Sequence, residues 1–148
     1  MALITFKSKA AGDLIMFTEN AQSILKLIDK DVKQGIIMPH EIATIIPKIE
    51  AEIARKKVIE AKERLEREEE IENVREKIIE QETKMHESRN SKDYDDEKEE
   101  KVLLRLKEKL ERLEKQEKEF VTFSARAFPF MEMLRRSQKK EKEIVWGV

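Results

Sequence analysis

Apolar positions change their spacing several times along the chain. Residues 3 to 7, "LITFK", are β-branched and aromatic and put Ile4 and Phe6 on one face, which predicts a short strand. "KSKAAG" reads as a loop closing at Gly12, and Asp13 stands where a helix N-cap belongs. Leu14, Phe17, Ala21, Ile24 and Ile28 recur at steps of three and four, with Leu25 widening the stripe, so a helix is expected there. "DKDVKQG" ends it, and Gly35 is free to take positive φ. Pro39 suits the first turn of a second helix, whose stripe is Ile42, Ile45, Ile46, Ile49 and Ile53. Pro47 lies inside that stripe and is expected to bend or split the helix, because it has no N–H to give.

From about Arg55 to Glu119 the apolar line thins and Glu, Lys and Arg take over. Leu103, Leu106, Leu110, Leu113 and Phe120 keep three-four steps with a gap at Glu117, and the register runs on through Ala127, Met131 and Leu134. Such a seam among charges predicts a coiled-coil helix. Glu108–Arg112, Glu111–Lys115 and Glu114–Lys118 are spaced as i,i+4 pairs, each contributing about 0.2–0.5 kcal/mol. Earlier in the region Val58 and Leu65 fit one register, while Ile71, Val74, Ile78 and Met85 fit another, the join falling in "EREEE". "SRNSKDYDD" separates the two halves and is rich in turn formers. Two antiparallel helices turning near residues 89 to 96 are expected.

After Phe120 four of the six phenylalanines gather, at 120, 123, 128 and 130. Thr122 can cap a fresh helix and Pro129 should bend it. The basic run "RRSQKKEK" is followed by five uncharged residues, Ile144 to Val148, which read as a strand. Its partner is expected to be "LITFK". Three helical runs lie between the two segments, an odd number of reversals, so the pair should be parallel. Trp146 is expected to anchor the strand against a helix. The fold class that follows is α/β: a small head with a two-stranded parallel sheet packed on helices, plus an inserted antiparallel coiled-coil hairpin. The boundaries are 1–57 and 120–148 for the head and 58–119 for the hairpin.

Charge changes this picture little. The chain has 148 residues, 43% of them charged, with a net charge of -1, so no overall basic excess draws it to nucleic acid or anionic lipid. There is no cysteine, which excludes disulfides and thiolate chemistry. Lys7, Lys9 and Asp13 interrupt the first apolar stretch, so a signal peptide is not expected. No apolar run approaches membrane-spanning length, and a cytoplasmic protein is the expectation.

"LITFKSKAAGDLIMF" and "ARAFPFMEMLRR…VWGV" together resemble the bacterial family catalogued as domain of unknown function 1840, over roughly residues 2 to 57 and 121 to 148. The resemblance implies a bacterial, cytosolic setting, a head separable from its middle segment, and no assigned activity. The middle departs from the family pattern: a helical hairpin is expected where a shorter polar linker is usual.

Candidate chemistry is sparse. "KDVKQGIIMPHE" places Gly35, Ile37 and Glu41 as a calcium loop would, but Lys30, Val32 and Gln34 stand at the ligand positions, so no calcium site is expected. His40 and His86 are the only histidines, Glu82 is a single companion to His86, and zinc needs three or four ligands. Ser8, Asp13, Ser23 and Ser124 lack a nucleophile-elbow context, and Gly12, Gly35 and Gly147 are too scattered to cradle phosphate. Phe123, Phe128, Phe130 and Trp146 read as core. No catalytic, metal or cofactor site is expected. The one candidate partner-binding set is Arg135, Arg136, Lys139, Lys140 and Lys142, which also complements the negative end of a helix. The expected function is a non-catalytic scaffold or adaptor that presents its coiled-coil arm to another protein. One alternative is a nucleic-acid-associated protein using residues 135 to 142; another is a small-ligand binder or enzyme acting in the head. Monomer and homodimer both remain open.

Overall fold

The computed structural model describes residues 2–148. The chain divides into two compact units, the residues up to Val58 together with Val121–Val148, and Ile59–Phe120. The first unit is built on a sheet. Strand β1, Leu3–Ser8, turns into β2, Ala11–Phe17, and helix α1, Thr18–Leu25, follows with a 3-10 turn at Lys26–Ile28. Strand β3 is Gly35–Ile37, helix α2 runs Pro39–Ser88, α3 Asp96–Glu119, α4 Phe123–Lys140, and β4 is Ile144–Trp146.

The sheet corrects the expected topology. It has four strands in the order β2-β1-β4-β3, and every pairing is antiparallel. The two chain ends do meet, through Phe6 opposite Trp146 and Lys7 opposite Val145, but antiparallel rather than parallel. The parallel expectation counted three helical runs between the ends and missed two strands. Residues 14 to 17 are strand, not helix: Leu14 and Met16 alternate onto the covered face while Ile15 and Phe17 stay exposed. Asp13 therefore caps nothing, and α1 begins at Thr18. Gly35 does not take positive φ; it opens β3. Its lack of a side chain matters for another reason, since a Cβ there would run into the Trp146 ring.

One face of the sheet carries the core. Phe6 packs edge-on against Phe130, with ring centroids 5.2 Å apart, and lies 5.4 Å from Trp146. Ile24, Leu25, Ile42, Ile49, Leu134 and Ile144 complete it, all essentially free of solvent. The Trp146 indole N–H donates to the Asp31 carbonyl at 2.8 Å, so the one polar atom of that ring is satisfied. Gly147 has φ of 73° and a side chain there would strike the Lys33 carbonyl, so glycine is required. Phe128 differs from the expectation: it is 61% exposed and outside the core.

Pro47 neither splits nor ends α2, which continues through it to Ser88. Its ring removes the hydrogen bond to the carbonyl of Ala43, and both residues are exposed, so water can take that carbonyl. Pro129 sits in α4 in the same way, opposite exposed Ala125. Thr122 accepts from the Ala125 N–H at 3.1 Å and caps α4.

In the second unit the later part of α2 runs antiparallel to α3, joined by the turn after Ser88, and Asp95 caps α3 by accepting from the Lys98 N–H at 3.1 Å. Ile71, Val74, Ile78 and Gln81 are buried on α2, whereas Leu65 of the other register is 66% exposed. The gap at Glu117 is occupied by charge. Glu117 accepts from Arg67 at 2.6 Å, and the Arg67 guanidinium lies 4.4 Å from the Phe120 ring centroid. Glu114 reaches across to Arg75 at 3.8 Å rather than along its own helix to Lys118.

Candidate functional site

Helix α4 presents two chemically distinct faces. Ala127, Phe130, Met131, Leu134 and Ser137 point into the core, which turns Arg135, Arg136, Lys139 and Lys140 outward. Glu141 closes the helix in the left-handed region, with φ of 55°, and Lys142 follows in the turn. Arg135 differs from the other four. It lies 3.7 Å from Glu50 and 3.6 Å from Glu132, and shares an open cleft of about 370 Å³ with Ile53, Lys57, Phe128 and Met131. Among the described residues Arg136, Lys139, Lys140 and Lys142 take part in no ion pair.

A hydroxyl pair ties the basic end of α4 to the sheet. The Ser8 and Ser137 Oγ atoms are 2.8 Å apart, Ser137 is fully buried, and Ser8 also accepts from the Ala10 N–H at 3.2 Å. This link brings Lys7 of β1 and Lys9 of the turn after it to the same end of the head as the basic run. Lys7, Lys9 and Glu143 line one shallow cleft of about 270 Å³ there. Periodicity could not have joined residues 8 and 137; the signal would have been the polar Ser137 on the apolar stripe of α4.

The other candidates stay apart. His40 is exposed in the first turn of α2 and His86 in its last, and no group of three or more metal-ligating side chains exists among the described residues. Lys30 and Glu41 of the rejected calcium loop form an ion pair at 2.9 Å instead. The Met38 N–H donates to Glu41 at 3.0 Å, and that hydrogen bond, with Lys30 next, holds the Glu41 carboxyl below its ordinary range. In the second unit the Gln81 amide donates to Glu99 Oε2 at 2.6 Å and, with Lys84, lowers the Glu99 carboxyl likewise. In both cases the hydrogen bonds and the neighbouring cation favour the charged carboxylate.

The molecule so defined is a mixed helix-and-strand protein: an antiparallel four-stranded sheet with helices on one face, and a second unit of two antiparallel helical segments. No helix is long and apolar enough to cross a membrane among the described residues. The chain belongs to the family described as Domain of unknown function (DUF1840), which matches residues 2–146. The matched span runs through the middle segment as well as both ends. Neither the curated proteins nor the solved structures contain a match to it.

Proposed function

We propose that the protein is a non-catalytic scaffold or adaptor whose second unit engages a helix of another protein. The observation that carries this is the incomplete cover on α3. None of its residues is fully buried: Leu103, Leu106, Leu110 and Leu113 each keep a minor part of their surface in water. Leu65 at 66%, Ile79 at 64% and Leu104 at 57% exposure add apolar surface beyond the seam. Two helices that leave a leucine stripe incompletely covered offer a groove to a third, which would remove the remaining surface from water. The charged flanks around that stripe would set register and partner choice more than affinity.

The test replaces Leu65, Ile79 and Leu104 with glutamate. All three are exposed, so folding should survive. Proteins cross-linked to the full chain in cells should be lost with the triple variant and with residues 59–119 exchanged for a short flexible linker. An unchanged set of partners sinks the reading. Light scattering of the same variants separates a foreign partner from a second copy.

One observation favours a second reading, a nucleic-acid-associated protein. Arg136, Lys139, Lys140 and Lys142 have no ion partner among the described residues, and Lys7 and Lys9 stand at the same end. Phosphate contacts by four to six cations would give binding that falls steeply with salt. Titration of a labelled duplex at about 50 and 200 mM salt tests this; weak binding that ignores salt removes it.

A further inference from the structure

The first unit carries an edge that its own chain leaves open. Among the described residues β2 has β1 on one side and no strand on the other. The ladder fixes which backbone groups are free. Thr18 N–H bonds the Ala2 carbonyl at 3.0 Å, continuing a register in which Met16 faces Ile4 and Leu14 faces Phe6. Alternation in an antiparallel pair then turns the N–H and C=O groups of Ile15 and Phe17 outward, as far as Leu14, beyond which the register shifts at Gly12 and Asp13. Sheet proteins usually blunt such an edge with lysine, proline, a bulge or shortness. The other edge strand, β3, is only three residues long. β2 is seven residues long; its one register shift lies at Gly12 and Asp13, and from Leu14 to Phe17 it has neither a shift nor a lysine or proline.

Beside this edge runs a groove. One cleft of about 320 Å³ lies between Phe17, Asn20, Ala125, Arg126 and Pro129. A second of about 350 Å³ continues it past Asp13, Phe128, Glu132 and Arg136. Leu14 and Pro129 line both, so the two clefts follow one line between β2 and α4. The floor is apolar, and Phe128 stands 61% exposed on its wall. Arg126, at the Phe17 end, is in no ion pair among the described residues.

We infer that this groove binds an extended peptide segment of a partner protein, added to the sheet as a fifth strand alongside β2. The peptide chemistry follows from the lining. Its backbone meets the free groups of Ile15 and Phe17, spaced about 7 Å apart. Alternate side chains point down between Leu14, Phe128 and Pro129 and must be apolar. A carboxylate at the Arg126 end complements the unpaired guanidinium. A second copy of the chain fits less well: antiparallel self-pairing about Ile15 sets Asp13 of one copy beside Phe17 of the other, a charge against an aromatic ring. The site is independent of the helical partner proposed above, since it lies wholly in the first unit.

A displayed library of random nine-residue peptides, selected on the full chain, tests the inference. Enriched sequences should alternate apolar residues and carry an acid near one end. Ile15→Pro removes one outward N–H without touching the β1 ladder, a position where proline is tolerated, and should weaken the selected peptides at least tenfold. Phe128→Ala, at an exposed site, should weaken them several-fold and serves if the proline variant fails to fold. Arg126→Glu should exchange the preferred acid for a base. No enrichment, or enriched peptides that bind the Ile15→Pro and Phe128→Ala chains as tightly as the original, overturns the proposal. So does a dimer in light scattering that Ile15→Pro converts to monomer, because the edge is then filled by a second copy.

Discussion

Trp146→Ala is the most informative single change. Trp146 is 1% exposed, lies between Phe6 and Gly35, and donates to the Asp31 carbonyl at 2.8 Å. Truncating a fully buried tryptophan costs about 3–5 kcal/mol, cavity included. Within that total the aromatic contact accounts for about 0.5–1.5 kcal/mol and the hydrogen bond for a similar amount. For a chain near this length each kcal/mol shifts the midpoint by roughly 2–4 °C, so a fall of about 6–20 °C is expected. Trp146→Phe keeps a ring against Phe6 but loses the donor, and should fall between the variant and the original. Scanning calorimetry of the full chain is the assay. Trp146 is the only tryptophan, so fluorescence of the unsubstituted chain follows the first unit alone and identifies which calorimetric transition must move. A loss under about 1 kcal/mol would refute the claim that β4 locks the sheet through this ring.

Gly35→Ala places a methyl group in the Trp146 ring and should cost about 1–3 kcal/mol by overpacking, measured as a lower urea midpoint. Gln81→Ala removes the donor that lowers Glu99, so the Glu99 titration followed by NMR should move up toward the ordinary carboxylate range. The Glu41 carboxyl is held low in the folded state, so its stabilisation is present above its unfolded value of 4.5 and is lost as pH falls through that region and below. Glu41→Gln should therefore be less stable by about 0.5–1 kcal/mol at pH 7 and converge with the unsubstituted chain as pH falls well below 4.5, in paired urea titrations. Ser137→Ala deletes a buried hydroxyl whose partner Ser8 keeps the Ala10 N–H, and should cost about 1 kcal/mol in the same assay.

What could be read from the sequence was mostly what is local. The capping threonine at 122, the polar turn between Ser88 and Asp96, and the uncharged strand at 144–146 each follow from short-range chemistry. The strands β2 and β3 were missed for different reasons. In "DLIMF", Leu14 and Phe17 satisfy a helical step of three while Leu14 and Met16 satisfy a strand step of two. The ambiguity is settled by β1, which lies next in the chain and pairs with it. β3 is three residues long and exists because β4 supplies its partner from more than a hundred positions away. The peptide groove was invisible in consequence, since it needs β2 to be a strand and α4 to lie beside it. Locally Arg126 is an ordinary exposed cation and Phe128 reads as a core aromatic, so neither marks a site until α4 is placed.

The position of β4 also shapes how the chain reaches this state on the ribosome. It inserts between β1 and β3 yet is made after every other described element. About 140 positions separate Phe6 from Trp146, which at roughly 5–20 residues per second is a delay of about 7–28 s. For most of that interval Phe6 has neither Trp146 nor Phe130 to cover it, while residues 59–120 form a compact unit of their own and can pair early. Nascent chains should thus pass through a stage with a finished helical pair and an unfinished sheet, a natural moment for a chaperone to hold them.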